Sequence, residues 1–307
     1  MNSLSLDFRP EIGDALEAGE AVVALESTVI THGLPYPQNV ETALLMEAAV
    51  RAGGAIPATI GILGGQIVVG LSEAQMAYLG DRPHEESARK CSRRDLPLVI
   101  AAGEDGSTTV AGTMIIAHLA GIEVFATGGI GGVHRDHPFD VSADLIELGR
   151  TPVAVVCSGA KSILDLPATL EVLETQGVTV LGYGSSELPA FFARSSSLPV
   201  DRRVDTPGDV AQIMAARRAL AYESGMLVTV PAPEADAMPF AEAEEAIAQA
   251  TREADEQGIH GPASTPWLLR RVVELTHGRS LRANVSLLRN NGFVAAQIAA
   301  AVADSRR

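Results

Sequence analysis

Short apolar runs recur along this chain, each closed by a polar or glycine-bearing turn, and most are followed by a segment with helical patterning. Residues 21–25, 58–63, 66–70, 96–102, 123–127, 153–157, 178–181 and 226–230 read as buried strands; 38–52, 72–79, 163–176 and 207–223 read as helices. Another apolar helical pattern ends at Leu119. From Pro239 onward the chain is expected to be helical, broken at Gly258–Pro262 and at Gly278, with Asn284 opening the last helix. Alternation of this kind builds an α/β fold in which helices pack on a largely parallel sheet. Gly64-Gly65 between two of the runs has the form of a two-residue hairpin turn, so the sheet is expected to be mixed. No repeat or linker interrupts the pattern, and residues 1–307 are expected to form a single domain. Aromatic residues are only 4% of the chain and small residues are abundant, which suits closely packed helices on a sheet.

The stretch from Thr127 to Lys161 concentrates the chemistry. It opens with Thr127-Gly128-Gly129-Ile130-Gly131-Gly132-Val133-His134, passes Asp140-Val141-Ser142-Ala143-Asp144, and closes on Cys157-Ser158-Gly159-Ala160-Lys161. Each segment lies at or just after an expected strand end, where open α/β sheets gather ligands. Lys161 stands out by a count: of 23 basic residues, 21 are Arg and only Lys90 and Lys161 are Lys. Where solvated cations are written as Arg throughout, a retained Lys points to what guanidinium cannot do, which is to lose a proton and attack a carbonyl. A lysine after a buried strand can also simply pair with a carboxylate.

The net charge of −15, with no basic run longer than a pair, argues against nucleic acid and anionic membranes as partners. An anionic small substrate would need a local positive niche. Cys91 and Cys157 have no metal-type spacing, and their placement in or beside buried strands suits a reducing cytoplasm. Residues 1–20 show no apolar targeting core, and no apolar run reaches membrane-spanning length.

Several other positions are candidates. Glu26 directly follows an apolar strand, where it is either a turn or capping group or a pocket carboxyl held partly protonated. Thr31-His32-Gly33-Leu34-Pro35-Tyr36-Pro37 reads as a rigid loop, and Ser185 to Val204 as a long functional one. Lys90 sits in the densest cationic patch, whose arginines read as a solvated face. Gly106-Ser107-Thr108-Thr109 precedes an apolar helix; such a turn can cradle phosphate through amides and the helix dipole, or its hydroxyls can be plain caps. It is not a Walker motif, and the glycine turn lacks dinucleotide spacing. His134 and His137 share a polar loop with Asp136, Asp140 and Asp144. Asp140 and Asp144 could converge on a hard cation if locally helical, or remain solvated; Mg²⁺ or Mn²⁺ fits such donors better than zinc.

Taken together, Ala24-Leu25-Glu26-Ser27-Thr28-Val29-Ile30-Thr31-His32-Gly33-Leu34-Pro35, Gly106 to Val110, Thr127 to His134, Asp140 to Asp144, Ser158 to Lys161 and Asn284 resemble the pseudouridine-5′-phosphate glycosidase family, in order and over nearly the whole chain. The resemblance implies a homotrimeric three-layer α/β/α sandwich around a mixed, mostly parallel sheet. It also implies cleavage of the C–C glycosidic bond of pseudouridine 5′-phosphate to uracil and ribose 5-phosphate. By resemblance Glu26 is the proton donor, Lys161 the nucleophile and Asp140 the Mn²⁺ ligand, largely through water. Lys90, Val110 and Ser142, Ala143 and Asp144 are substrate-binding positions, with His134 and Asn284 in the pocket and Ser107, Thr108 and Thr109 in the expected phosphate turn. The His134–Asp140 loop is two residues shorter than the family pattern.

The chemistry makes the same demands. A C-nucleoside has no glycosidic heteroatom to protonate, so a two-carboxylate oxocarbenium route is poorly matched to it. An amine attacking the anomeric carbon offers an imine as electron sink, and a carboxylic acid can protonate the departing carbon. Another Schiff-base lyase or aldolase acting on a sugar phosphate would share Lys161 and the phosphate turn. A non-catalytic sugar-phosphate sensor would share the turn but leave the rarity of lysine unexplained.

Overall fold

The computed structural model describes residues 5–81, 88–135, 137–259 and 264–306. Its centre is an eleven-stranded sheet. Along the main path the order is β1 (Leu6–Phe8), β4 (Gln66–Val69), β3 (Ile56–Leu63), β2 (Val22–Leu25), β7 (Val124–Ala126), β10 (Ala154–Cys157), β14 (Met226–Thr229), β12 (Thr179–Tyr183) and β13 (Arg202–Val204). Off this path β6 (Gly106–Thr108) pairs β3, and β5 (Arg89–Cys91) pairs β6. Among the described residues only the β3–β4 and β3–β6 pairs of this sheet run antiparallel. The expected hairpin is present: Leu63 pairs Gln66, and Gly64 and Gly65 take φ of 56° and 79°, a conformation that side-chain-bearing residues rarely adopt.

Central strands are buried on both faces, which is why they read as unbroken apolar runs and not as alternations. Helices α2 (Gln38–Ala52), α8 (Pro207–Ala219) and α11 (Arg279–Asp304) pack together, with α11 lying on β2, β7 and β10. Helix α5 (Val110–Leu119) packs on β2, β3 and β7 and is joined by α6 (Ala143–Leu148). Helices thus cover both faces of the mixed sheet in a single domain. A small antiparallel sheet, β11 (Leu164–Asp165), β8 (Val133–His134) and β9 (His137–Val141), stands beside the main one.

Three expectations are corrected. Residues 96–102 form helix α4 (Leu96–Ala102) and not a strand. Pro97 lies in its first turn and Gly103 closes it at φ 66°; a proline that would cost a strand a ladder hydrogen bond costs a first helical turn nothing. The helix expected at 163–176 begins later, as α7 (Leu166–Thr175), because Leu164 and Asp165 pair with β8. The last helix starts at Arg279, so Asn284 is interior to it and does not cap it. Of the expected 258–262 break, Gly258 follows α9 (Phe240–Glu256) at φ 66°; residues 260–262, like Asp136, lie outside the described residues.

The chain runs from β2 outward to β3 on one side and returns to place β7 on the other. That reversal opens a crevice at the carboxyl ends of β2 and β7. Leu25, Ala126 and Val156 are level across β2, β7 and β10, so Glu26, Thr127 and the Ser158 segment emerge at one rim.

Candidate active site

A cavity of about 600 Å³ opens at this rim. Glu26 enters it directly from β2, and the Thr127 hydroxyl, leaving β7 next door, donates a hydrogen bond to Glu26 Oε1. Lys161 arrives from β10 through a tight path in which its amide donates to Ile130 O at 3.0 Å and its carbonyl accepts from Leu164 N at 3.0 Å. Acid and amine therefore face one space from the exits of β2 and β10, the two strands that flank β7. Burial raises the Glu26 carboxyl above its ordinary range; the Lys161 charge and the Thr127 and Thr28 hydroxyls pull it back, and Asp144 pushes it further up. Among the described residues neither Lys161 nor Lys90 makes an ion pair within 4 Å. The plain salt-bridge reading of Lys161 thus has no support there. Burial holds the Lys90 amine below its usual range, and the Lys161 charge lowers it further.

Asp144 is buried and spoken for. Its Oδ1 accepts from Ala111 N at 2.9 Å and its Oδ2 from Gly131 N at 2.8 Å, so one carboxylate joins the first turn of α5 to the glycine loop. Ser142 caps α6, accepting from Asp144 N at 3.2 Å. Thr109 caps α5 and takes Gly112 N at 3.3 Å. With Ala111 and Gly112 engaged by side chains, the turn offers an anion fewer amides than a full phosphate cradle.

Lys90, Thr109, Val110, His134, Asp140, Ser142, Ala143, Asp144 and Asn284 all line the cavity with Glu26 and Lys161. Ser107 and Thr108 do not. Both are wholly buried: Ser107 Oγ accepts from Thr31 Oγ1 at 2.7 Å, and Thr108 Oγ1 donates to Ile60 O at 3.0 Å. They brace the loop after β2 from behind. Asp140 and Asp144 share no helical turn, since Asp140 is on the exposed ribbon β9 and Asp144 on α6. Among the described residues no three His, Cys, Asp or Glu converge as a metal cluster. Asp140 at the cavity rim, with His134 close enough for the two to feel each other's charge, offers a hard oxygen donor and one imidazole. Such a sparse set fits a hard cation that keeps most of its water. Burial lowers His134 below its usual range, opposed by Asp140.

Several cavity residues carry no separate sign in the sequence. Thr127 opens the glycine motif but was not distinguishable from a turn residue. Arg93, read as part of a solvated face, forms a two-pronged pair with buried Glu147, Nε to Oε2 at 2.6 Å and Nη2 to Oε1 at 2.8 Å, while also lining the cavity. His32 lines it from a π-turn spanning Val29–Gly33, a distortion frequent at functional sites. Phe191, from the long loop before β13, reaches the cavity with φ of 59° and its amide on Ser158 O at 3.1 Å; a non-glycine residue held there is strained by its surroundings.

A family model described as indigoidine synthase A like protein matches residues 11–301. The chain is 54% identical over 303 residues to a protein of Methylobacterium nodulans named pseudouridine-5′-phosphate glycosidase, covering 98% of this chain and 89% of that one. It is 55% identical over 296 residues to pseudouridine-5′-phosphate glycosidase 2 of Photorhabdus laumondii, covering 96% of this chain and 94% of the relative. Among solved structures, the prealnumycin C-glycosynthase AlnA in complex with ribulose 5-phosphate superposes with a TM-score of 0.90 at 41% identity, over 99% of both chains.

Proposed function

The chain belongs to the pseudouridine-5′-phosphate glycosidase family, and from that membership and the chemistry of the cavity we propose that it reversibly cleaves the C–C glycosidic bond of pseudouridine 5′-phosphate to uracil and ribose 5-phosphate. The observation that carries the reading is the convergence on one cavity of a desolvated carboxyl, Glu26 from β2, and an amine, Lys161 from β10, which among the described residues has no carboxylate within ion-pairing distance. A sugar phosphate bound to a C-glycosynthase of the same fold supports the substrate class.

In this reading Lys161 Nζ attacks the anomeric carbon, the C1′–O4′ bond opens and O4′ takes the surplus proton of the attacking nitrogen, leaving an open-chain sugar joined to both the amine and the base. The nitrogen lone pair then forms the C=N bond as the bond to the base carbon breaks. That bonding pair goes to the carbon of uracil, which takes the proton of Glu26. Water hydrolyses the protonated imine, which frees ribose 5-phosphate and the amine, and the proton released restores the Glu26 carboxyl. Lys90, with Thr109 and Val110, holds the phosphate end; the Ser142–Asp144 segment, His134 and Asn284 contact the remainder. Asp140 would hold a Mn²⁺ ion through water, and the ion would supply positive charge at the cavity. The enzyme works as a homotrimer in the cytoplasm. The free, buried thiols of Cys91 and Cys157 fit that compartment, and among the described residues no helix is long and apolar enough to cross a membrane.

Incubation with uracil and ribose 5-phosphate is expected to yield a C-nucleotide of the mass of pseudouridine 5′-phosphate, and borohydride with ribose 5-phosphate alone to add the reduced sugar to the Lys161 peptide. Trapping without C-nucleotide formation would favour a different Schiff-base lyase, and a label confined to Lys90 would overturn the assignment of Lys161. Chelation is expected to abolish turnover, with Mn²⁺ restoring it better than Zn²⁺; full activity in a verified metal-free preparation would count against the ion.

A further inference from the structure

Asn291 is a fully buried carboxamide that the chemistry above does not use. It lies on α11, one turn past Leu288 and two past Asn284, on the face that meets the sheet. Its Nδ2 donates to Thr127 O at 2.9 Å and reaches Gly128 O at 3.5 Å. Ser158 Oγ lies 3.1 Å from Nδ2 and 3.3 Å from Oδ1. One side chain thus ties together the exits of β7 and β10.

Each exit carries a reacting group's support. Thr127, whose carbonyl Asn291 holds, places its hydroxyl on Glu26. Ser158, whose hydroxyl Asn291 holds, precedes Lys161 by three residues, and the segment between them is pinned to the glycine loop by Ser158 N on Gly128 O at 2.8 Å and Lys161 N on Ile130 O at 3.0 Å. Helix and loop have no slack: a Cβ on Gly128 would stand 3.1 Å from Leu288 Cδ2 and 3.4 Å from Leu287 Cδ1. A buried amide among apolar residues costs free energy unless its partners are in place. A leucine would fill such a position without that demand.

We propose that Asn291 is a positioning residue for the reaction: it sets the Thr127 hydroxyl against Glu26 and fixes the Ser158–Lys161 segment, so that acid and amine address one bound sugar. This rests on the functional reading above. Among the described residues the charged groups facing Glu26 are Lys161, Asp144 and Lys90, and none of them is a hydrogen-bond partner of Asn291, so a change at Asn291 reaches Glu26 through Thr127.

The test is a double-variant cycle with wild type, Thr127→Val, Asn291→Leu and the pair, reading kcat, KM, the pH profile and Tm with pseudouridine 5′-phosphate. Asn291→Leu is expected to lower kcat about 10- to 100-fold through misplacement, with KM changing by less than about threefold. Glu26 must be protonated to act, and the Thr127 hydroxyl favours its charged form, so losing that bond moves the alkaline limb of kcat to higher pH. Thr127→Val should move the limb the same way, and the pair should move it no further. An unmoved limb in folded Asn291→Leu, or limb shifts and losses that simply add in the pair, would overturn the positioning role. Should Asn291→Leu not fold, Asn291→Ser, too short to reach Thr127, takes its place under the same criteria. Absence of turnover in the wild type would defeat the functional reading itself, whereas wild-type turnover with an additive cycle defeats only the role of Asn291.

Discussion

In the proposed mechanism two requirements meet at Glu26: the carboxyl must hold a proton near neutral pH, yet it sits in the field of a lysine that favours its charged form. Burial is the larger influence, and the net direction is upward. A general acid with a raised pKa is active below that pKa, so kcat should fall as pH rises through it. Glu26→Gln keeps the size and hydrogen-bonding reach but removes the transferable proton. It should slow uracil release by roughly 10²–10⁴-fold and abolish the alkaline limb, while borohydride still traps ribose 5-phosphate on Lys161. Near-normal release by this variant would assign the acid elsewhere. Lys90 makes a different case. Its amine is half-buried in a chain of net charge −15 and lines the same cavity. Lys90→Met should raise KM for the phosphorylated substrate strongly; unchanged ribose 5-phosphate affinity, measured calorimetrically, would put the phosphate in another place.

Elements show where local pattern is enough and where it fails. Helix α2 was legible to the residue because proline, an apolar period and glycine bracket it, and the β3–β4 hairpin because Gly64-Gly65 admits few other turns. Leu96–Ala102 misled because seven apolar residues carry no period, and only its packing, with Val99 buried and Leu98 half-exposed, makes it helical. At the site, Glu26 and Lys161 were visible from residue type and place. Asn291 and Glu147 were not, since an amide or acid within a helix reveals its partners only when strands more than a hundred residues away arrive and a loop arginine folds back onto it. Glu47 is the same kind of hidden residue outside the site. It lies on α2, is buried, accepts from Thr59 Oγ1 of β3 at 2.5 Å, and burial raises its carboxyl. A carboxyl with a raised folded-state pKa binds more protons folded than unfolded, so its contribution is fully present below about 4.5 and is lost as pH rises through the folded value. Glu47→Gln should therefore match wild type near pH 4 and exceed it at pH 8, by on the order of 1 kcal/mol. Equal urea midpoints for the two proteins at both pH values would show that the carboxyl is not strained by its burial.

On the scale of the whole molecule, the cavity rim is built at the ends of fully buried central strands, but the wall that carries the proposed ion ligand is not. His134 and Asp140 ride on the β8–β9 ribbon, most of which is exposed, and Phe139 beside Asp140 is completely exposed. A lone exposed apolar side chain is common on protein surfaces, yet a phenylalanine with its whole surface in water, on the strand that carries the proposed ion ligand, suits a contact between subunits of the proposed trimer. Burying it would contribute about 1.5–3 kcal/mol at each copy. Light scattering of the wild type should then give three times the 32.0 kDa chain mass. Phe139→Asp, which leaves every cavity-lining side chain in place, should move the mass toward the single chain. It should also raise the Mn²⁺ concentration needed for half-maximal turnover, because Asp140 loses the support of a docked ribbon. A variant that keeps both the trimer mass and the wild-type metal requirement would show that Phe139 faces solvent in the working enzyme and that the ribbon holds its shape alone.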